Sequence, residues 1–179
     1  LCPWDYSDEV TRFTSYSAKL FPDWCSLLHH ATGIDPEYEV SGMLILPPHD
    51  QKTALEWCSM REVRIRQCSI PTIESSKMNL EGLLLPEVAQ VRNPRLLRAL
   101  RKRILELGGK IIEHCAVTGM KRLEHHLQSI ISSHGEFFAD YIVICAGAWS
   151  TTILKNDAFK LNIKPIKGQM LLFKFDTPP

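Results

Sequence analysis

Small residues follow a short apolar segment in the second half of the chain, and this pattern has the clearest chemical use. The apolar segment is Tyr141–Ala146, and Gly147, Ala148 and Trp149 come directly after it. Small side chains at the end of a strand let a cofactor approach the backbone, and a helix that starts there offers free amides to an anion. A plain turn between a strand and a helix would use the same residues. Both interpretations stay open on this motif alone.

Other groupings of reactive side chains give weaker signals. His29-His30 and His125-His126 are adjacent pairs, whose side chains point in different directions, so surface histidines are expected rather than metal ligands. The 6 cysteines have neither Cys-x-x-Cys nor zinc spacing, which favours reduced thiols and a cytoplasmic protein. The sequence has no Gly-x-Ser-x-Gly, Walker or kinase motif. We therefore predict no metal site.

The composition is that of an ordinary globular chain. The 179 residues are 45% hydrophobic and 23% charged, with a net charge of +1, which suits one domain or two small lobes. The basic residues of 95–103 could suggest a nucleic-acid partner, but acidic residues balance them, so a solvated face is predicted. The longest apolar runs are too short to span a bilayer. We expect no nucleic-acid partner and no transmembrane segment.

Hydrophobic periodicity and stop signals predict four helices. They are expected at residues 8–30, 51–60, 93–107 and 151–155. Pro22 should kink the first helix or divide it in two, and Gly33 should end it. Asn93 should cap the third helix, which Gly108-Gly109 should end.

Alternating and continuous apolar runs predict the strands. They are expected at residues 38–46, 82–86, 110–115, 117–123, 127–132, 137–146 and 163–175. The strands on either side of Gly135 should form a hairpin or small meander, and Tyr141–Ala146 should be covered on both faces. Residues 61–78 are expected to be irregular. The fold class is therefore mixed α/β.

A series of segments, in order along the chain, resembles the motifs of one family. They are Gly82-Leu83-Leu84-Leu85-Pro86, Gln90-Val91, Asn93-Pro94, Leu96–Leu100, Leu107-Gly108-Gly109, Ile112-Glu113, Val117–Met120, Val143–Ser150 and Ile163–Met170. Together they resemble the D-amino-acid-oxidase superfamily of FAD-dependent oxidoreductases, and they look most like its glycine oxidase and D-amino-acid dehydrogenase branch. Residues 38–46 look like a substrate-domain strand of the same family.

The resemblance implies FAD as cofactor and gives individual residues a role. Val117 resembles the residue whose backbone meets the adenine end of FAD. Ala146 and Gly147 resemble the turn that passes the pyrophosphate and ribityl region, with Ala148 and Trp149 beside it. As alternatives, Val117 is a core valine of a strand and Trp149 packs under the cofactor without taking part in chemistry. We expect Val117 and Trp149 to lie in one cleft at the strand ends.

The same resemblance also shows which family features this sequence lacks. Gly168-Gln169 resembles the segment that leads towards the flavin ring, or else marks a bulge in a strand. The family's Gly-x-Gly-x-x-Gly fingerprint and its substrate-binding arginine do not occur here, so no catalytic residue is transferred. We expect an internal portion of the enzyme that is inactive alone.

The expected architecture is a partial FAD-binding Rossmann-like domain with part of an antiparallel substrate-domain sheet. Residues 1–85 would form a mainly helical segment and part of the substrate domain. Residues 86–160 would be the remainder of the FAD domain, with parallel strands and the meander, and residues 161–179 a strand returning to the substrate domain. Unpaired sheet edges can pair with a second copy of the chain, so a homo-oligomer is an open alternative.

The resemblance implies oxidation of a small amine or amino acid to an imine by hydride transfer to FAD. Glycine, sarcosine and D-amino acids are the expected substrates, and the electron acceptor is oxygen or another oxidant. Two alternatives stay open. One is a non-catalytic binding or interaction module that keeps the flavin-domain fold, and the other is the oxidase domain of a tRNA-modifying fusion flavoprotein.

Overall fold

The computed structural model describes residues 3–70, 80–123, 126–154 and 163–171. The chain divides into two units, Leu1–Ile111 and Ile112–Pro179. Both contain helices and strands, which confirms the mixed α/β prediction. Every strand pairing within the described residues is antiparallel, whereas parallel strands were expected. The apolar runs of the sequence predict burial but not the direction of a neighbouring strand, so the parallel arrangement was wrong for this part of the chain.

The first unit begins with a short 3-10 helix, Pro3–Asp5, followed by α1, Asp8–Thr32. The Ser7 side chain caps the start of α1, and Gly33 ends it in the left-handed conformation at φ 69°. The helix runs through Pro22, so the division into two pieces is wrong. Proline removes one N–H from the helical ladder. The hydrogen bonds of the other turns and the packing of α1 against α3 (Asn93–Glu106) keep the helix continuous.

The second helix and α3 start in different ways. Helix α2 spans Gln51–Met60 as predicted, and the Asp50 carboxylate accepts hydrogen bonds from two backbone N–H groups of its first turn. The capping position of α3 is Arg92, which makes no side-chain capping bond. Asn93 already belongs to the helix, so its predicted capping role is wrong. A capping residue needs a non-helical backbone, and here Arg92 has it.

Two small sheets complete the first unit. Their strands are β1 (Glu39–Val40), β2 (Met43–Ile45), β3 (Arg66–Ile70), β4 (Leu80–Leu85) and β5 (Ala89–Gln90). Strand β1 pairs with β5, and the other three lie in the order β2-β4-β3. The predicted strand 38–46 is two short strands, because Gly42 at φ 75° turns the chain between them. Strand β3 lies in the segment that was expected to be irregular.

The core of the first unit lies between α2 and the β2-β4-β3 sheet. Its buried members are Trp4, Ala54, Cys58, Leu83 and Leu85. The side chain of Leu83 is 1% exposed. Burial of such leucines contributes about 1.5–3 kcal/mol each before any packing term. The side of α2 that carries Ala54 and Cys58 is therefore fixed against the sheet.

The second unit contains a three-stranded meander and a short helix. The strands are β6 (Val117–Leu123), β7 (His126–Ser132) and β8 (Gly135–Phe137), in the order β6-β7-β8. This confirms the predicted meander. The short 3-10 helix Gly147–Trp149 leads into α4 (Ser150–Leu154), which packs against β6.

Three predicted strands are absent from the described residues. Residues 110–115 form no strand and contain a turn at Glu113-His114, where His114 has φ 55°, and residues 138–146 and 163–171 join no ladder. The side chains of Tyr141 and Val143 are 90% and 80% exposed, so the expected cover on both faces is also wrong. A strand exists only through hydrogen bonds to a neighbour, which an apolar sequence cannot supply alone. Residues 172–175 of the last predicted strand lie outside the described part.

Candidate functional site

The start of β6 combines an irregular ladder with a partly exposed valine. Val117 lies opposite Ser132, but Thr118 has no partner before the ladder resumes, as in a β-bulge. The Ser133 N–H donates to the Ala116 carbonyl over 2.9 Å, and the Ala116 N–H donates to the Ser133 hydroxyl over 3.1 Å. Val117 is 40% exposed. The hairpin turn therefore holds this strand end in place while leaving Val117 open to a ligand.

A group of polar side chains on β6, β7 and β8 holds the three strands of the meander together. Ser129, in the middle of β7, is fully buried, and its hydroxyl donates to the Glu136 carboxylate. The Lys121 ammonium lies 3.7 Å from the same carboxylate. The group thus links all three strands. Sequence reasoning missed it, because a serine and two charged residues on short strands suggest solvent-facing positions.

The turn Ala146–Trp149 has the geometry of a backbone that another molecule can approach. Gly147 adopts φ 55°, and the Trp149 N–H donates to the Ala146 carbonyl over 3.1 Å. A Cβ built on Gly147 would meet no atom within 4 Å. Glycine is therefore required here by the backbone conformation and not by crowding within the protein. Trp149 is 69% exposed, so its ring is free to contact a ligand.

Helix α4 connects this turn to the meander. Ser150 at its start is buried, and the helix packs against β6, the strand that begins at Val117. The two candidate segments thus belong to the same unit and to neighbouring elements. That Val117 and Trp149 share one cleft stays a prediction.

These residues fit one edge of a dinucleotide such as FAD. Val117 offers a partly exposed position at the strand end, Gly147 offers open space beside the main chain, and the exposed rings of Trp149 and Tyr141 offer apolar surface. Gly168 and its neighbours, expected near the flavin ring, lie in an exposed segment without regular secondary structure. The described residues contain no group of three His, Cys, Asp or Glu side chains placed to hold a metal ion. The arrangement can position a large planar cofactor through backbone and aromatic contacts.

The cysteines with described positions all carry free thiols. Burial raises the pKa of Cys58, and burial, followed by the charge of Asp35, raises the pKa of Cys25. Cys145, next to the turn, is exposed. In the described ranges, no helix has both the length and the apolar character to cross a bilayer.

Comparison with known proteins identifies the family. The family model described as FAD dependent oxidoreductase matches residues 1–179. Glycine oxidase from Pseudomonas putida is 32% identical over 180 residues, covering 97% of this chain and 49% of the relative. The bifunctional protein ThiO/ThiG from Synechocystis is 26% identical over 158 residues, covering 86% of this chain and 23% of the relative. The chain spans about half the length of the Pseudomonas relative.

Solved structures support the fold. The crystal structure of glycine oxidase from Bacillus cereus matches with a TM-score of 0.69 at 20% identity, covering 84% of this chain and 44% of that one. At this identity the likeness concerns the fold. The predicted family and fold class are confirmed, since the family model extends over the whole chain.

Proposed function

The chain belongs to the family of FAD-dependent oxidoreductases, and we propose that it forms part of an enzyme that oxidises a small amine or amino acid to an imine. The observation that carries the proposal is the match of the family model over residues 1–179, and we place the cofactor beside the open turn at Gly147, where a Cβ would meet nothing within 4 Å. FAD, when bound, would supply the redox chemistry by accepting a hydride from the carbon that bears the amine. The residues of this chain would bind and orient it.

Each candidate residue has a defined task in this proposal. The backbone amide and carbonyl of Val117 would meet the adenine end of FAD. Ala146 and Gly147 would let the main chain pass close to the pyrophosphate and ribityl region, since neither has a bulky side chain. Ala148 and Trp149 would cover the cofactor and exclude water, with Trp149 in a packing role.

The names of the relatives guide the choice of substrate and acceptor. The Pseudomonas putida relative is a glycine oxidase, so we propose glycine first, then sarcosine and D-amino acids, with oxygen as acceptor. The relative from Synechocystis is named bifunctional, which favours a fused second enzyme as the rival arrangement. A tRNA-modifying fusion and a non-catalytic module both remain alternatives to the simple oxidase.

Ion pairs of the basic residues on and beside α3 argue against a nucleic-acid partner. Arg92 and Arg95 contact Glu37 at 3.3 and 3.0 Å, and Arg103 lies 3.7 Å from Glu106. Charges that are paired within the protein leave less to attract phosphates. The free thiols support a cytoplasmic location. We place the FAD contacts in the second unit, and the domain borders at 85/86 and 160/161 stay a prediction.

The test measures whether amines reduce the bound flavin of a chimera under anaerobic conditions. In the chimera, this chain replaces the matched stretch of the Pseudomonas putida glycine oxidase. We expect bound flavin whose visible absorbance is bleached by glycine, sarcosine or a D-amino acid, and not by lactate. A chimera that folds and binds flavin but is bleached by none of the amines would remove the proposed reaction. A folded chimera without flavin would favour the interaction module.

A further inference from the structure

An apolar stripe runs along one side of α1 and is only partly covered by the described elements of the first unit. Its members, called the α1 stripe, are Phe13, Tyr16, Leu20, Trp24 and Leu27. They are three or four positions apart, which places them on one face over about 20 Å of helix. Phe13 is 73% exposed and Leu27 is 65% exposed.

The α1 stripe is distinct from the two other faces of the helix. One face, with Cys25 and Leu28, is buried in the unit. Another face carries Lys19, Asp23 and Ser26, which are exposed as expected for a solvated face. A surface helix needs one apolar face towards its own core, so a second apolar face indicates a second packing partner.

Two apolar cavities adjoin the α1 stripe, so the surface has depressions between its protruding side chains. One, of about 260 Å³, is lined by residues that include Leu20, Trp24 and Leu96. The other, of about 540 Å³, is lined by residues that include Phe13 and Val88. Both are in the first unit and both include Ser17 and Phe21. Depressions beside protruding rings are suited to interdigitation with apolar side chains of another layer.

The exposed area of the α1 stripe indicates whether a second copy of the chain or another protein segment covers it. Five large residues, each roughly half exposed, offer on the order of 500 Å². A stable dimer commonly buries about 800 Å² on each partner, so a second copy on this stripe alone falls short. The chain spans 49% of the Pseudomonas putida relative, so a protein of that length has as much polypeptide again with which to cover the stripe.

We propose that the α1 stripe is the surface on which the part of the FAD-dependent oxidoreductase fold not contained in this chain packs. The proposal rests on the proposed function, because it takes the chain to be part of such an enzyme. It commits to an intramolecular apolar layer as the occupant. A second copy of the chain, or the chain's own residues 112–179, are the competing occupants.

The first test introduces a charge on the stripe and on the solvated face. Leu27→Glu and its neighbour control Ser26→Glu are made in the chimera and in the 179-residue chain. We expect Leu27→Glu to lower the thermal midpoint of the chimera by about 5 °C or more, and Ser26→Glu to have little effect. Both variants should leave the midpoint of the 179-residue chain unchanged. Equal midpoints for the two variants in the chimera would overturn the proposal.

The second test uses Trp24 and does not depend on a disruptive variant. The emission of Trp24 is the difference between each protein and its conservative Trp24→Phe variant. We expect iodide to quench this emission in the 179-residue chain, and to quench it at least fivefold less in the chimera at every protein concentration. Quenching in both proteins would overturn the proposal. Protection that grows with concentration would assign the stripe to a second copy, and protection in the 179-residue chain at every concentration would assign it to residues 112–179.

Failure of this inference and failure of the proposed function give different results. A chimera that protects Trp24 but is reduced by no amine keeps the packing surface and loses the reaction. A chimera that is reduced by glycine but leaves Trp24 open to iodide keeps the reaction and loses the packing surface.

Discussion

Substitution of Gly147 by alanine separates backbone strain from loss of the cofactor. Gly147 has φ 55°, and a left-handed conformation costs a residue with a Cβ roughly 1–2 kcal/mol. The added Cβ would meet no protein atom within 4 Å, so strain is the whole cost to folding. For a chain of this size, that cost lowers the thermal midpoint by about 2–8 °C. If FAD passes beside this turn, the same methyl group is forced against it, which costs about 1–3 kcal/mol and weakens FAD binding about 5- to 150-fold.

Gly33→Ala is the matched control for this prediction. Gly33 has φ 69° and equally open surroundings, so its substitution carries the same strain at a position far from the candidate turn in sequence. We expect both variants of the chimera to lose similar stability by calorimetry, while only Gly147→Ala loses FAD affinity in a fluorescence titration. Wild-type FAD affinity in Gly147→Ala, with the expected loss of stability, would refute the placement of the cofactor beside this turn.

Three further predictions concern the fold and its ionisable groups. Leu83→Ala should destabilise the 179-residue chain by about 3 kcal/mol and lower its thermal midpoint by about 6–12 °C, because Leu83 is 1% exposed. Hydrogen bonds from the Thr53 side chain and backbone hold the pKa of Asp50 below its usual value. The Asp50 carboxylate therefore contributes to stability above its unfolded-state pKa, and this contribution is lost as the pH falls through the folded-state pKa. Asp50→Ala should remove this part of the acid dependence of helicity, measured by circular dichroism. N-ethylmaleimide at neutral pH should label exposed Cys145 at least about tenfold faster than buried Cys58, whose pKa is raised by burial.

Each of these predictions has its own control. Leu44 pairs with Leu84, the residue next to Leu83 in β4, and is 45% exposed, so Leu44→Ala should cost less than about 1 kcal/mol. Equal losses for the two variants would contradict the assigned core. Asp50→Asn should keep a capped helix but lose the pH dependence. Labelling rates of the two cysteines should converge in urea, and similar rates in the folded chain would contradict the burial of Cys58.

Local signals in the sequence predicted the local elements well. Helix α2, the stop at Gly33 and the three strands around Gly135 follow from spacing, turn residues and caps, which act within a few residues of one another. The family was also predictable, because its motifs occur in order along the chain. These successes share one cause: the information lies within each segment.

Elements that depend on distant neighbours were not predictable from the sequence. Tyr141–Ala146 has the composition of a buried strand, but its backbone pairs with none of the described residues. Strand β3, with the sequence Arg66–Ile70, has little apolar character and is a strand because β4 lies beside it. The burial of the Ser129 hydroxyl was not predictable for the same reason, since its partner Glu136 lies on another strand.

The most direct test of the proposed function is a crystal structure of the FAD-loaded chimera. We expect the adenine to lie against the backbone of Val117, and the pyrophosphate and ribityl groups beside Ala146 and Gly147, with Trp149 packed against the cofactor. A structure in which FAD is bound while these segments contact no part of it would contradict the assignment.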